Sequence, residues 1–144
     1  MHIGFTGSRS GLSANQEATI LRIFESIPNI ESAHHGDCVG ADADFHALCN
    51  ASDLLVTLHP PTDNKSRAFC LANASRPAKP YLQRNQEIVN SCSLLIAAPN
   101  GPETRRSGTW ATIRYARKSR RRLAIVNADG QLQLEFLTPK ELGL

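Results

Sequence analysis

The stretch Arg105-Arg106-Ser107-Gly108-Thr109-Trp110 decides the fold prediction, because it joins a short apolar run to a segment of helical character. The apolar run extends from Ser93 to Ala98, and the helical segment extends from Thr109 to Lys118. A strand that leads through a small-residue turn into a helix points free backbone N–H groups at one spot, where the helix dipole adds positive potential. The stretch therefore predicts a phosphate or carboxylate site, with an ordinary capped helix as the alternative.

Each residue of this turn has a role to offer. Gly108 lets the backbone come close to a ligand, and Ser107 or Thr109 can cap the helix or donate a hydroxyl group. Trp110 can stack on a ligand or shape the pocket. On the helix, Trp110, Ile113 and Ala116 recur every three residues and predict the buried side.

A second small-residue turn follows the first predicted strand, Met1 to Gly7. It carries Ser8, a small hydroxyl, and Arg9, whose guanidinium can grip a phosphate at two places; a solvated loop is the alternative. Ser13-x-x-Gln16 then reads as a capping box. The helix after it has a buried stripe at i, i+3, i+4, i+7 spacing, namely Ile20, Ile23, Phe24 and Ile27.

A third such turn runs from Gly36 to Asp42, after a predicted strand from Ile30 to His35. Asp42 falls in the first turn of the next helix, where an acidic residue is usually a dipole partner. Its functional interpretation is a carboxylate that accepts a ribose hydroxyl or acts on the anomeric carbon. His34 and His35 face the same mouth or are satisfied strand-end histidines. The helix is expected to bury Ala41, Phe45, Leu48 and Cys49 and to place Asp42, Asp44 and His46 elsewhere.

The remaining chain continues the alternation of strands and helices. Further strands are predicted at Leu54–His59, Leu94–Ala98 and Leu123–Val126, with an edge strand at Leu132–Leu137 and one helical turn in Thr138–Leu144. The helix Tyr81–Cys92 should bury Leu82, Val89 and Cys92, with Arg84 and Asn85 near its start. The polar segment Thr62–Pro80, with a short helical hint at Ala68–Ala72, predicts a lid or binding loop; a solvated crossover is the alternative. Its basic residues are Lys65, Arg67, Arg76 and Lys79.

Short apolar strands that alternate with helices predict an α/β fold with a mainly parallel sheet covered on both faces. Ligands of such sheets bind outside the carboxyl ends of the strands. The turns at Gly7, Gly36 and Gly108 all follow strands, so we expect all three to open at that one edge.

The bulk composition bounds the protein class. The chain has 144 residues, 41% hydrophobic and 20% charged, which is typical of one soluble domain spanning residues 1–144. We expect no membrane span, no signal peptide, no cofactor and no dedicated metal site. The four scattered cysteines favour free thiols in the cytoplasm. The net charge of +3 fits an anionic small ligand or weak nucleic-acid contact. Five residues of the basic run Arg114–Arg122 crowd the end of its helix, and for these we favour helix-dipole partners over a nucleic-acid patch: Arg117, Lys118, Arg120, Arg121 and Arg122.

With these motifs in place, the sequence resembles the SLOG superfamily, the Rossmann-like group that includes the DNA-processing protein A family and the Lonely-guy phosphoribohydrolases. Four motifs in this order carry the resemblance, which spans Met1 to Val126: Gly4-Phe5-Thr6-Gly7-Ser8-Arg9, His35-Gly36-Asp37-x-x-Gly40-Ala41-Asp42, Arg84-Asn85 and Ser107-Gly108-Thr109. The resemblance implies a Rossmann-like three-layer sandwich, a nucleotide ligand held by these motifs, and a homo-oligomer, a dimer or larger.

The resemblance also implies a chemistry that this chain carries only in part. In the phosphoribohydrolases, Pro-Gly-Gly-x-Gly-Thr-x-x-Glu binds the phosphate and supplies a catalytic glutamate, and an arginine on the preceding helix assists. Arg84 matches that arginine and Gly108-Thr109 match the Gly-Thr, but Thr112 stands in place of the glutamate. A threonine cannot act as a carboxylate, so the acid has to come from elsewhere: Asp42, Glu103, Asp37 or Glu87.

Three functions compete at the level of sequence. The first is binding of a nucleotide-type ligand with hydrolysis of its N-glycosidic bond, where Arg9, Arg84, Ser107 and Thr109 hold the phosphate. Asp42 or Glu103 would then stabilise the positive charge that develops at the ribosyl carbon. The second is a non-catalytic sensor or carrier of a nucleotide signal. The third and least favoured is a single-stranded DNA-binding protein, based on the basic run.

Overall fold

The computed structural model describes all 144 residues, which form one seven-stranded sheet flanked by helices. The strands are β1 (His2–Gly7), β2 (Ser32–His35), β3 (Val56–Leu58), β4 (Ala74–Ser75), β5 (Leu94–Ala98), β6 (Arg122–Val126) and β7 (Leu132–Glu135). The helices are α1 (Ala14–Ser26), α2 (Ala41–Ala51), α3 (Tyr81–Ser91), α4 (Gly108–Lys118) and the short α5 (Pro139–Leu142), with a 3₁₀ turn at Asn64–Ser66.

The strand order is β4-β3-β2-β1-β5-β6-β7, and all neighbours are parallel except the pair β6 and β7. The chain builds outward from β1 in one direction as far as β4, and then returns to place β5 on the other side of β1. This reversal opens a crevice at the carboxyl ends of β1 and β5, which is where sheets of this kind bind ligands. The predicted α/β fold with a mainly parallel sheet is confirmed.

Side-chain alternation along β5 shows why the sheet needs a layer on each face. Leu94, Ile96 and Ala98 belong to the core shared with α1 and α2, whereas Leu95 and Ala97 belong to the core shared with α3 and α4. All five residues are buried, so β5 has no solvent-facing side, as expected of a central parallel strand. The result is a Rossmann-like three-layer sandwich.

Local capping confirms the capping box read from the sequence at the start of α1. At α1 the Ser13 hydroxyl accepts the N–H of Gln16, and the Gln16 side chain accepts the N–H of Ser13, at 3.0 and 2.9 Å. The C-terminal turn is capped in the same way by Thr138 and Glu141. No helix of the structure is both long enough and apolar enough to cross a membrane.

Three local predictions were wrong, each because a tertiary contact outweighed a local preference. Residues 68–72 are not helical: Ala68 and Cys70 donate their N–H groups to the backbone and side chain of Asp37. Leu82 is 65% exposed, because α3 turns Arg84 and Ile88 toward the sheet instead. Asp42 and His46 of α2 are buried with its apolar residues, because both side chains find hydrogen-bond partners in the interior.

Candidate functional site

One cavity of about 550 Å³ lies at the carboxyl edge of the sheet, beside the crevice between β1 and β5. The turns after β1, β2 and β5 meet there, as do the first residues of α3 and α4. The lining residues are Phe5, Thr6, Ser8, Arg9, Gly36, Cys38, Asp42, Tyr81, Arg84, Asn85, Ile88, Asn100, Arg106, Ser107, Gly108 and Thr109. The structure therefore brings together nine predicted site residues from four separate motifs.

The N-terminus of α4 forms one wall of the cavity. The Ser107 hydroxyl accepts the N–H of Trp110 at 3.2 Å, and the Ala111 N–H donates to the Ser107 carbonyl at 3.0 Å. The N–H groups of Gly108 and Thr109 precede that first bond of the helix ladder, so they stay available to a ligand. Both residues line the cavity, and the helix dipole adds positive potential at this wall.

Arg84 enters the cavity from α3 and is buried. Its Nη1 donates to the carbonyl oxygens of Gly36 at 2.6 Å and His59 at 3.3 Å, and its Nε donates to Asn85 Oδ1 at 2.7 Å. These bonds fix the plane of the guanidinium. Only the sulfur of Cys38, at 3.7 Å, contacts Nη2, so this end of the group has capacity for an anion.

Tyr81, at the start of α3, lies close to two cations. The guanidinium carbons of Arg9 and Arg84 each lie 5.3 Å from the centre of its ring. Each guanidinium is attracted to the electron-rich face of this ring, and both arginines line the cavity. The Tyr81 hydroxyl is buried and has no hydrogen-bond partner.

Asp42 is the one carboxylate among the lining residues. Its Oδ2 accepts the N–H of Cys38 at 3.1 Å. Burial raises the pKa of Asp42 to about 6, although the nearby Arg84 guanidinium acts in the opposite direction. The carboxyl group can thus take up or release a proton near neutral pH, as an acid or a base in catalysis must.

Three predicted site residues shape the turns without lining the cavity. The Ala41 N–H donates to the Ser8 carbonyl at 2.9 Å, which joins the turn after β2 to the turn after β1. A Cβ on Gly40 would collide with the Arg9 backbone, and one on Gly7 would lie 2.6 Å from the Ala41 Cβ. Gly7, Gly40 and Ala41 therefore allow the two turns to pack closely.

Asp37 also lies behind the cavity, where it binds residues of the segment Thr62–Pro80. Its side chain is buried; Oδ2 accepts from Arg67 Nε at 2.8 Å, and Oδ1 accepts the N–H of Cys70 at 2.9 Å. Asp37 has a positive φ of 55°, which aspartate tolerates better than most residues. The segment Thr62–Pro80 is thus fastened to the domain at Asp37, and Asp37 does not line the cavity.

Glu103 and Trp110 face a different hollow on the far side of the loop after β5. Glu103 pairs with Arg114 at 2.8 Å, and the Trp110 indole donates to the Gly101 carbonyl at 3.1 Å. Thr112 is buried and donates its hydroxyl to the Gly108 carbonyl at 2.9 Å. The structure therefore leaves Asp42 as the only predicted acid that lines the cavity, and it places Glu103 outside the cavity.

Three side chains behind the cavity have the residue types of a metal site: ligand atoms of His35, His46 and Cys70 lie within 4.8 Å of one another. The hydrogen bonds assign these nitrogens otherwise. His35 Nδ1 accepts the Asp37 N–H at 3.0 Å, so its Nε2 carries the proton shared with His46 Nδ1 at 2.9 Å, and His46 Nε2 donates to the Leu71 carbonyl. A metal on His35 Nε2 would move the ring proton to Nδ1. The Nδ1–H would then face the Asp37 N–H, and neither group could accept a hydrogen bond from the other.

The basic run Arg114–Arg122 lies along α4 and at the start of β6, so its C-terminal part is at the opposite edge of the sheet from the cavity. Glutamates pair with three of its arginines: Glu103 with Arg114, Glu135 with Arg117, and Glu141 with Arg122. This pairing reduces the positive field of the run, which weakens the case for a nucleic-acid surface.

Several lining residues were missed in the sequence as site residues, namely Phe5, Thr6, Cys38, Tyr81, Ile88, Asn100 and Arg106. Phe5, Thr6 and Cys38 stand within recognised motifs, so their position next to a turn glycine was an available signal. Tyr81 and Asn100 had no such signal, because their place depends on how α3 and the loop after β5 fold back on the sheet.

Comparison of the chain with protein-family models, curated proteins and solved structures gave no match.

Proposed function

We propose that the cavity binds a nucleotide or a nucleotide-derived ligand through its phosphate. The observation that carries the proposal is the convergence of the α4 N-terminus and three arginines, Arg9, Arg84 and Arg106, on one cavity with a single carboxylate. Backbone N–H groups at a helix N-terminus and planar guanidinium groups are the partners that phosphate oxygens prefer. The excess of positive charge suits a phosphate ester that carries two negative charges.

The rest of the cavity suits a nucleoside. Its volume of about 550 Å³ is within the range of small-molecule sites. Ile88 offers an apolar surface, and the Asn100 amide donates to Ser10 at 3.2 Å while its oxygen stays free to accept. Asn85 accepts from Arg84 and presents its amide group as a donor. These side chains can hold a sugar and a base beside the phosphate.

In the catalytic form of the proposal, the ligand is a nucleoside monophosphate whose N-glycosidic bond is hydrolysed. Asp42 stabilises the charge at the ribosyl carbon or transfers a proton, and Arg84 orients the phosphate. Glycosidases commonly use two carboxylates, whereas this cavity contains one. That observation, together with Thr112 in place of the motif glutamate, favours the second candidate: a sensor or carrier that binds the nucleotide and leaves it intact.

A direct test incubates the protein with nucleoside monophosphates, NAD and ADP-ribose, and reads thermal shift and mass spectrometry together. A raised melting temperature supports binding. Release of free base then supports the hydrolase, and Asp42→Asn should abolish it; an intact ligand supports the sensor or carrier. No stabilisation by any ligand would contradict the proposal.

The arginines provide a matched pair of variants. Arg106 lines the cavity, whereas its neighbour Arg105 does not. We expect Arg106→Ala to weaken binding of the best ligand about tenfold, because one charge-assisted hydrogen bond to phosphate is lost. Arg105→Ala should leave the dissociation constant unchanged in isothermal titration calorimetry. Equal effects of the two substitutions would mean that general surface charge, and not this cavity, attracts the ligand.

The predicted homo-oligomer remains a proposal that is separate from the ligand. Analytical ultracentrifugation of the purified chain tests it directly: a sedimenting mass of twice 15.7 kDa or more supports an oligomer, and a monomer contradicts it.

A further inference from the structure

We infer that the cavity takes up its anionic ligand together with a proton, and that Asp42 is the group that accepts this proton. The inference rests on the proposed function, because it concerns the same cavity. It adds that the affinity for an anion depends on pH through one named side chain.

An anion bound in the cavity would lie in the same enclosed space as the Asp42 carboxylate. Asp42 is 8% exposed and lines the same cavity as Arg9, Arg84 and Arg106. It forms no salt bridge. The Nη1 of Arg84 donates to the carbonyl oxygens of Gly36 and His59 instead. The charge of Asp42 is supported by the Arg84 guanidinium and by the backbone N–H groups of Cys38 and Gly36.

The charged and titratable groups around Asp42 come from four parts of the chain. Arg84 of α3 attracts its charge and the buried Asp37 repels it. The Cys38 sulfur lies 3.7 Å from Arg84 Nη2. Burial and the Asp42 charge raise the pKa of this thiol, so it stays neutral. Another of these groups is the Cys70 thiol in the segment Thr62–Pro80, whose pKa is raised by burial and by the nearby Asp37 and Asp42, so it stays neutral. Arg9 reaches the same space from the turn after β1. Burial raises the pKa of Asp42 itself to about 6.

A bound anion changes this balance in one direction. It takes over the positive potential of Arg9, Arg84 and Arg106, and it adds a negative charge beside a carboxylate with little solvent. Both effects disfavour ionised Asp42, so its pKa rises in the complex. By linkage, affinity is highest below about pH 6 and falls by up to about tenfold per pH unit above it.

The probe for the test is inorganic sulfate, which keeps two negative charges between pH 5.5 and pH 8. A phosphate ester gains its second charge near pH 6, which would oppose the effect of Asp42. The dissociation constant is measured by NMR from the amide N–H shifts of Gly108 and Thr109 across this pH range. We expect sulfate to bind more tightly at pH 5.5 than at pH 8, and to raise the pKa read from the Asp42 carboxyl carbon.

Two variants separate Asp42 from the rest of the fold. Asp42→Asn should bind sulfate with an affinity that hardly changes with pH. Asp44→Asn is the matched control on the same helix, since Asp44 accepts the Leu12 N–H outside the cavity; it should retain the pH dependence of the unmodified chain. The ¹H–¹⁵N spectrum of each variant reports whether it is folded.

The outcomes distinguish the inference from the proposed function. Sulfate binding at Gly108 and Thr109 with no pH dependence overturns the proton uptake and leaves the anion site standing. A pH dependence that persists in Asp42→Asn also overturns the inference, because another group then takes the proton. If sulfate shifts neither amide at any pH, the anion site and the inference are both overturned.

Discussion

Gly36 shows how closely the candidate site is packed around one side chain. A Cβ at this position would lie 2.5 Å from Arg84 Nη1, 2.7 Å from Arg84 Cζ and 3.0 Å from Asp42 Oδ2. The Arg84 guanidinium donates hydrogen bonds to the carbonyl groups of Gly36 and His59, so it cannot move away from such a Cβ without losing them. The absence of a side chain at Gly36 therefore keeps Arg84 and Asp42 in their places.

We expect Gly36→Ala to weaken ligand binding about tenfold or more, because it displaces the Arg84 guanidinium. The dissociation constant of the best ligand measures this effect. Gly101→Ala is the control, since a Cβ at Gly101 meets nothing within 4 Å. Unchanged affinity in Gly36→Ala would show that Arg84 does not take part in binding.

At the scale of elements, α4 is the helix on which the site most depends. Ser107 ends the loop after β5 and caps the helix through Trp110. The cap satisfies the Trp110 N–H and fixes the first turn of α4, whose Gly108 and Thr109 line the cavity. The geometry of this wall of the cavity thus depends on one hydroxyl outside the helix.

Removal of the Ser107 cap should therefore affect stability and binding together. We expect Ser107→Ala to reduce the free energy of unfolding by about 1 kcal/mol and to weaken ligand binding as well. Thr138→Ala, which removes the cap of α5, should cost about the same stability without changing the affinity. Urea denaturation and calorimetry on both variants check this; a loss of affinity in Thr138→Ala would contradict it.

The segment Thr62–Pro80 is organised by side chains from other elements. Arg67 and Cys70 bind Asp37, the Leu71 carbonyl binds His46, and Lys79 forms an ion pair with Glu87 of α3. Glu87 in turn accepts from His59 at 2.6 Å. The segment is therefore a fastened crossover, and none of its four basic residues lines the cavity.

At the scale of the whole molecule, buried histidines should set the response to acid. Burial lowers the pKa of His34 to about 4 and that of His35 to about 3. The unfolded chain binds these protons below about pH 6.5, whereas the folded chain does not, so stability falls as the pH drops. Each of these two histidines lowers the free energy of unfolding by about 2 kcal/mol at pH 5.

Asp42 acts in the opposite sense, because its raised pKa of about 6 lets the folded chain bind a proton first. Its contribution at pH 5 is about 1.5 kcal/mol, so the two histidines outweigh it. We expect the free energy of unfolding to be about 2–3 kcal/mol lower at pH 5 than at pH 8. Urea denaturation at both pH values measures this, and His34→Gln should remove about 2 kcal/mol of the loss, which is two thirds of it or more.

The sequence alone determined those elements whose local pattern of apolar, capping and turn residues predicts one structure. Apolar runs predicted β1, β5 and β6, the Ser13 capping box predicted the start of α1, and three small-residue turns after strands predicted a common edge for the site. These features depend on spacing within a few residues, through hydrogen bonds and side-chain alternation that every such segment shares.

Only the tertiary structure decided which of the candidate residues meet. Asp42 and Glu103 are both acids close to a small-residue turn, yet one is in the cavity and the other is paired with Arg114 behind the loop. The difference arises from contacts between residues far apart in sequence, such as Arg84 with Gly36. Such contacts have no periodicity in the sequence, because they are set by how the helices pack against the sheet.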